Sequence, residues 1–311
     1  MHPVLRAASA VSAVGALGVG YASLVERNAY VLRRFEVPVL PLGHQPLRVL
    51  HLSDLHLMPG QRRKAAWVSS LAELKPDLVV DTGDNIADAD SIPVLLETFR
   101  AFGATAGVFV MGSNDYFVPG PRNPVLYLTP QYASRVGTSR RLPTEDLVKG
   151  LLDLGWTELT NARATLELRG SSIEFVGVDD PHLRYDRYGL VAGPADPLVA
   201  LTIGVTHAPY QRVLDAMARD GAGLILAGHT HGGQLCLPGV GALVTNCDLD
   251  TGRAKGLSRW WPGAGSLPGS VAPPADAAWL GVSAGVGTSP WAPVRFACRP
   301  EATLLTLVPA P

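Results

Sequence analysis

The chain of 311 residues is long enough to bury the core of one large domain or of two smaller ones. Its formal net charge is −1 and only 17% of its residues are charged, so no overall basic field indicates a nucleic-acid partner. Its three cysteines have no paired spacing, which argues against a disulfide framework and against a structural zinc motif. Any substrate must therefore be met by a local site, and nothing in the sequence predicts a protein partner.

A stretch of nineteen uncharged residues, Ala7 to Val25, lies between Arg6 and Glu26. As a helix it would be about 28 Å long, close to the thickness of a bilayer core. We therefore interpret residues 1–26 as a membrane anchor or a signal-like segment. A cleaved signal and a helix packed on the protein surface are the alternatives.

The segment that follows, residues 27–46, carries information on orientation and on domain boundaries. Its three arginines between positions 27 and 34 outnumber the single Arg6 before the apolar stretch. The positive-inside tendency then predicts a membrane-associated protein whose main domain lies on the cytoplasmic side, with export as the alternative. Three prolines between positions 38 and 46 predict an extended linker, followed by one folded domain over residues 47–311.

From residue 48 onward, strand-like and helix-like segments alternate. Strands are predicted at Arg48–Leu52, Asp77–Asp81 and Gly107–Met111, with helices at Gln61–Leu74 and Ile92–Phe102 between them. This spacing is typical of βαβ units and predicts an α/β fold. In such sheets, ligand sites lie at the carboxyl ends of the strands.

A proline-rich and arginine-containing insertion, residues 118–143, interrupts this alternation. An irregular insertion of this length beside a site is either a lid over the substrate or a solvated surface excursion. Beyond it, further helices and strands are predicted at Thr144–Leu154, Thr165–Leu168, Ile173–Val178, Leu201–Val205, Gln211–Arg219, Leu224–Ala227, Gln234–Asp248, Trp279–Ser283 and Thr303–Val308.

Potential metal ligands follow five of these predicted strands. They are Asp54, His56, Asp84, Asn114, His207, His229 and His231. Carboxylate, imidazole and amide groups suit Mn, Fe or Zn better than a calcium cage or a thiolate zinc site. Seven ligands are too many for one ion, whereas two ions about 3.5 to 4 Å apart are the usual apparatus for activating water against phosphorus.

The motifs also occur in a recognisable order. Asp54-Leu55-His56, Gly83-Asp84, Gly112 to Asp115, His207 and Gly228 to His231 follow one another along the chain. In this order the chain resembles the calcineurin-like metallophosphoesterases over about residues 47–308. The segments Asp179 to His182 and Gly232 to Gln234 look similar to a bacterial branch with membrane-associated and exported phosphodiesterases.

The resemblance implies a four-layer αββα sandwich and a ligand assignment for two divalent metal ions. One ion would be held by Asp54, His56, Asp84 and His231. The other would be held by Asp84 as a bridge, an amide of the third motif, His207 and His229. A metal-bridging hydroxide would then attack phosphorus in line, while both ions and the histidines stabilise the developing charge.

The third motif departs from the family pattern. The family has Gly-Asn-His-Asp where this chain has Gly112-Ser113-Asn114-Asp115. We expect Asn114 to coordinate a metal through a reshaped turn, with Ser113 directing a metal-bound water as the alternative. The histidine that would protonate the leaving group is absent, which typically costs about 10² to 10⁴ in rate unless another group replaces it. His182 is the candidate replacement, although a histidine beside proline is also a common turn residue.

Several nearby carboxylates have a structural interpretation. Asp81 is expected to support the turn rather than bind metal, and Asp115 to fix the turn or orient a ligand histidine. Asp179 and Asp180 either cap a turn or support the ligands.

The sequence therefore predicts a dinuclear metal-dependent phosphoesterase that hydrolyses a phosphodiester or pyrophosphate. The predicted N-terminal membrane segment makes a lipid-linked substrate attractive. A phosphomonoesterase is the alternative enzyme. A membrane-tethered binding protein that has lost catalysis is the alternative from another class, supported by the altered third motif.

Overall fold

The computed structural model describes residues 15–121, 139–266 and 271–310. Its strands, in chain order, are β1 (Val31–Leu40), β2 (Leu47–Leu52), β3 (Leu78–Asp81), β4 (Ala106–Phe109), β5 (Thr157–Glu158), β6 (Ala162–Leu168), β7 (Ser171–Gly177), β8 (Leu201–Thr206), β9 (Leu224–Ala227), β10 (Cys236–Leu237), β11 (Gly241–Ala242), β12 (Gly256–Trp260), β13 (Ala278–Val282) and β14 (Glu301–Pro309). The helices of the domain are α1 (Arg62–Ser70), α2 (Ile92–Arg100), α3 (Ser113–Tyr116), α4 (Thr144–Asp153) and α5 (Gln211–Arg219).

Two six-stranded sheets form the middle of the molecule. The first has the order β1-β14-β2-β3-β4-β5 and the second has the order β12-β13-β9-β8-β7-β6. Strands β2, β3 and β4 are parallel to one another, as are β7, β8, β9 and β13. The strands that carry the predicted ligands thus lie inside parallel regions, with their carboxyl ends at one edge of each sheet.

The molecule has four layers, and an apolar core fills each of the three spaces between neighbouring layers. Side chains of both sheets, such as Val49, Val80 and Ile203, pack together in the core between them. A second core packs α1, α2 and α4 on the outer face of the first sheet, and a third packs α5 on the outer face of the second. The fold is therefore the predicted α/β αββα sandwich.

The parallel strands are apolar almost throughout because both of their faces are covered. In β2, Val49 faces the core between the sheets, whereas Leu50 and Leu52 face the helices of the outer layer. Side chains alternate in this way along every strand, so a strand with two buried faces needs apolar residues at consecutive positions. The predicted runs Arg48–Leu52 and Leu224–Ala227 match β2 and β9 for this reason.

The predicted linker over residues 27–46 was wrong. Residues 31–40 form β1, which pairs in parallel with β14 at the edge of the first sheet. Pro38 lies within β1, and a proline is tolerated there because an edge strand has one row of N–H groups without a sheet partner. Strand β12 was not predicted, and only the short strands β10 and β11 form within the predicted strand-like region Gln234–Asp248.

The N-terminal segment is helical over its described part, residues 15–28. Ala22 and Glu26 are buried, the backbone N–H of Arg295 donates to the carbonyl of Ala22, and Tyr21 meets Phe296 edge to face. Within the described ranges, no helix is long and apolar enough to cross a bilayer. Residues 1–14 of the predicted anchor lie outside the described part of the chain.

Most of the predicted insertion 118–143 also lies outside the described residues, which end at 121 and resume at 139. Its two ends are close together. The backbone N–H of Val118 donates to the carbonyl of Arg140, and the N–H of Leu142 donates to that of Tyr116. The two described ends of the insertion are therefore held together directly after α3, beside the third motif.

Candidate metal centre

The predicted ligands come together where the carboxyl ends of the two sheets meet. Asp54 and His56 follow β2, Asp84 follows β3, and Asn114 lies in α3 after β4. From the second sheet, His207 follows β8, and His229 and His231 follow β9. Two groups of three side chains could each hold a metal ion, because their donor atoms lie within 4.8 Å of one another: Asp54 with His56 and His231, and Asp54 with Asp84 and His207.

The carboxylate of Asp84 lies between two histidines. Its Oδ2 is 3.4 Å from Nε2 of His56, and its Oδ1 is 3.5 Å from Nε2 of His207. On one side of the site, Nε2 of His231 lies 3.1 Å from Nε2 of His56. On the other side, Nδ1 of His229 lies 3.3 Å from Nε2 of His207. The four imidazoles thus form two pairs with Asp84 between them.

Three of these histidines are buried in their neutral form. Burial lowers the pKa of His56 to about 4, and burial also lowers the pKa values of His229 and His231 well below the usual range. A neutral imidazole can present the lone pair that a metal needs. The close approach of two uncharged Nε2 atoms therefore fits a pair of ligands directed at one cation.

His207 has a different electrostatic environment. Burial lowers its pKa, but the carboxylates of Asp84, Asp180 and Asp54 outweigh burial and raise the pKa to about 9. Its Nδ1 lies 2.7 Å from the carbonyl oxygen of Thr82, which fixes Nδ1 as the protonated nitrogen and directs Nε2 into the site. A metal bound at Nε2 must displace the second proton of the ring.

Five of the seven predicted ligands have left-handed backbone conformations, with φ of 50° at Asp54, 41° at His56, 57° at Asp84, 67° at His229 and 50° at His231. Such angles are unfavourable for residues with a Cβ and persist where the surroundings enforce them, often at functional sites. Close approach also requires glycine at two positions. A Cβ on Gly112 would collide with Oδ1 of Asp84, and a Cβ on Gly228 would collide with Oγ of Ser53.

In the third motif, Asn114 rather than Ser113 contacts the centre. The backbone N–H of Asn114 donates to Oδ1 of Asp84 over 2.7 Å, and its side-chain amide donates to Oδ2 over 2.6 Å. The hydroxyl of Ser113 donates instead to Asp180. The side chain of Asn114 is therefore placed at the centre, while Ser113 connects α3 to the loop after β7.

Asp115 and Asp81 support the turns that carry the ligands. Asp115 accepts hydrogen bonds from the backbone N–H groups of Asp84, Asn85 and Gly112, all of 2.8 to 3.0 Å. Burial and the Asp84 carboxylate raise the pKa of Asp115 to about 8. Asp81 accepts from the N–H of Gly83 and the amide of Asn85. Neither carboxylate belongs to the two groups of three that could hold a metal.

His182 lies beside the centre. Its ring centroid is 4.5 Å from that of His229, and its Nδ1 is 3.0 Å from the hydroxyl of Tyr210. The backbone N–H of His182 donates to Asp180, the same carboxylate that accepts from Ser113. The loop after β7 thus joins the site through Asp180 and His182.

Sequence reasoning missed two groups that support the ligands. Arg295 is fully buried and donates to the carbonyls of Ala284, Gly285 and Gly287, and its guanidinium lies 3.4 Å from Nδ1 of His231. Asn246 places its carbonyl oxygen 3.3 Å from Nε2 of His229. Both residues lie in irregular loops where no motif marks them, so only the folded geometry identifies them.

The donor set fits a pair of divalent ions. It combines two buried carboxylates with four imidazoles, three of them neutral, and the oxygens of Asp84 face both histidine pairs. Mixed oxygen and nitrogen donors of this kind suit borderline transition ions.

A family model described as calcineurin-like phosphoesterase matches residues 47–233. Because this match covers more than half of the chain, the protein belongs to the calcineurin-like phosphoesterase family. It is a metal-dependent phosphoester hydrolase. The family is dimetal-dependent, and the two groups of three residues are where this chain could hold its ions.

Three relatives show how far the similarity extends. The metallophosphoesterase YkuE of Bacillus subtilis is 27% identical over 97% of this chain and 93% of its own length. The phosphodiesterase YaeI of Escherichia coli is 25% identical over 97% of both chains. A transmembrane protein with metallophosphoesterase domain from Bos taurus is 29% identical over 68% of this chain and 46% of its own.

Proposed function

We propose that the protein hydrolyses a phosphodiester or pyrophosphate at a dinuclear centre. Asp54, His56, Asp84 and His231 would hold one ion, and Asp84, Asn114, His207 and His229 the other. The observation that carries this assignment is the position of Asp84, whose two oxygens face histidines of the two different pairs. Mn, Fe or Zn are the ions that this donor set favours.

When bound, the ions would activate water and neutralise charge on the phosphoryl oxygens. The residues of the chain hold the ligands in place for that chemistry. Thr82 fixes the tautomer of His207, and Arg295 contacts the outer nitrogen of His231. The amide of Asn114 donates to Oδ2 of Asp84 and so orients this carboxylate.

His182 is proposed as the group that protonates the leaving oxygen. Two contacts support this role. The ring of His182 lies against that of His229 at the edge of the centre, and it forms a hydrogen bond with the hydroxyl of Tyr210. A proton donor matters most when the leaving group is a poor one. His182→Ala should therefore slow a diester with an alkoxide leaving group much more than one with a nitrophenolate. Equal rates for wild type and variant on the poor leaving group would remove His182 from the mechanism.

We extend the proposal to a lipid-linked substrate and to association of the protein with a membrane. A full-length relative is named a phosphodiesterase, and another relative is named a transmembrane protein. In this chain, Leu24 and Val25 of the N-terminal segment are exposed, as are Leu237 and Val240 of the β10–β11 hairpin. Exposed apolar side chains of this kind favour contact with a membrane surface. A cytoplasmic position of the domain remains part of the proposal.

The decisive experiment is a screen of phosphate monoesters, diesters, pyrophosphates and lipid phosphoesters with added Mn, Fe or Zn. We expect diester or pyrophosphate turnover to exceed monoester turnover.

The variant His229→Ala serves as the inactive blank. It should lower the rate at least about 100-fold, because mutation of residues that merely hydrogen-bond to a metal ligand already lowers metal affinity or activity 10- to 100-fold. His44→Ala serves as the matched control, since His44 bonds to Ser171 away from the centre. Higher monoester turnover would favour a phosphomonoesterase, and an inert protein that holds no transition ion would favour a binding protein.

A further inference from the structure

A polar cavity lies beside the end of the N-terminal segment. Its volume is about 200 Å³, and its walls include Arg27, Tyr30, Arg62, Arg63, Lys64 and Gly287. Arg62 and Arg63 belong to the first turn of α1, whereas Arg27 comes from the helical turn that ends the N-terminal segment. Three parts of the chain that are distant in sequence thus meet around one cavity.

Basic side chains dominate the charge of this cavity. Three arginines line it, together with Lys64, whose pKa is lowered to about 7 by burial, and no carboxylate lines it. Within the described ranges, none of these four basic residues forms an ion pair with an aspartate or glutamate. The Nε atom of Arg27 is buried and has no hydrogen-bond partner there. Cations held together without a counter-charge repel one another, so an anion would relieve this repulsion.

Lys64 gives the cavity a rigid wall. Its side chain is only 5% exposed, and its Nζ donates to the carbonyls of Leu55 and His56. Gly287 closes another side, and its N–H donates to the carbonyl of Asp54. These bonds fix the cavity against the backbone of the first ligand loop. None of the seven proposed metal ligands lines the cavity, so it is separate from the metal centre.

We propose that this cavity binds a phosphate group, either of a phospholipid head group or of a soluble organophosphate. Arginine guanidinium groups recognise phosphate oxygens through paired N–H donors. The cavity is smaller than the roughly 300 to 1,000 Å³ of typical small-molecule sites, which suits a phosphate group better than a whole substrate. Its place beside the exposed Leu24 and Val25 brings lipid head groups within reach if the segment contacts a membrane.

The first test measures the heat of binding of inorganic phosphate to the metal-loaded full chain. We expect two binding transitions, one at the metal centre and one at the cavity. The double variant Arg62→Gln, Arg63→Gln should lose the second transition and keep the first. The matched control Arg34→Gln, Arg219→Gln removes two exposed charges elsewhere and should keep both transitions. A double variant that retains every phosphate-binding transition of the wild-type protein would overturn the proposal, whether the wild type shows one transition or two.

The second test separates the two sources of phosphate. The same proteins are sedimented with vesicles of phosphatidylcholine alone or with about one-fifth phosphatidylglycerol. If the cavity takes a lipid head group, the Arg62 and Arg63 variant should lose the extra binding to anionic vesicles, and glycerol phosphate should compete in the wild type. If vesicle binding is unchanged while the phosphate transition disappears, the ligand is a soluble organophosphate. Both tests measure binding and not turnover, so their outcome does not depend on the proposed function.

Discussion

Asn114 lies in the third motif, where the family pattern leaves open which residue contacts the metal centre. Aligned strictly with the family pattern, Ser113 occupies the ligand position and Asn114 the position of the missing histidine. The structure favours the opposite order, because α3 directs Ser113 toward Asp180 and Asn114 toward both oxygens of Asp84. The residue that contacts the carboxylate proposed to bridge the ions is thus the asparagine.

This geometry predicts unequal effects for two neighbouring alanine substitutions. Asn114→Ala removes a donor to Asp84 and a proposed ligand, so kcat should fall about 10²- to 10³-fold, the usual effect of losing one preorganised polar group. Ser113→Ala removes only the bond to Asp180 and should cost less. Steady-state kinetics and metal content of both variants provide the measurement. A larger loss for Ser113→Ala would show that the serine directs the reacting water instead.

The sequence predicted the ligands more completely than their supports. Asp54, Asp84 and His207 each follow a buried apolar strand, and parallel strands end at a common edge, so their proximity follows from the fold class. Arg295 follows no such rule. Its contacts depend on how the loop after β13 folds back over the centre, and local patterns do not encode that path.

At the scale of elements, amphipathic helices and doubly buried strands were predictable, whereas three of the four edge strands, β1, β5 and β12, were not. Helix α5 spans the predicted residues Gln211–Arg219, because three of its apolar side chains repeat on one face. Strand β1 was missed because its proline resembles a linker residue and its exposed positions weaken the apolar pattern. Only long-range pairing with β14 shows that it belongs to the sheet.

Strand β2 carries a buried histidine that should make the protein sensitive to acid. His51 is 1% exposed and bonds to the hydroxyl of Thr82 through Nε2, at 3.0 Å. Burial lowers its pKa from 6.5 to about 3. The unfolded chain therefore takes up a proton below pH 6.5 that the folded chain excludes until about pH 3. Stability from the neutral ring is complete above pH 6.5 and is lost as the pH falls through this window.

We expect His51→Gln to reduce this acid sensitivity. One pKa unit corresponds to about 1.4 kcal/mol, so at about pH 5 the wild type should have lost about 2 kcal/mol through His51 alone. Glutamine keeps a hydrogen-bonding group near Thr82 and does not titrate. The measurement is the free energy of unfolding in urea at neutral pH and at about pH 5, with a chelator present so that metal loss affects both proteins equally. Identical pH dependence of the two proteins would contradict the role of His51.

At the scale of the whole molecule, the N-terminal segment connects to the metal centre through a short series of contacts. Oε1 of Glu26 accepts a hydrogen bond from the backbone N–H of Cys298, at 2.7 Å. The thiol of Cys298 in turn donates to the carbonyl of His231. The segment is thus packed against the loop that supports a proposed ligand.

Substitution of Glu26 should therefore weaken the whole domain. Glu26→Ala leaves the N–H of Cys298 without its acceptor in a buried position, which typically costs about 1 to 3 kcal/mol. Glu26→Gln retains an acceptor oxygen and should recover part of the loss. Glu36→Ala is the matched control, because Glu36 is exposed on β1. Thermal unfolding of the metal-loaded full chain measures the effect. A melting temperature for Glu26→Ala equal to that of Glu36→Ala would show that the bond between Glu26 and Cys298 contributes nothing to the stability of the domain.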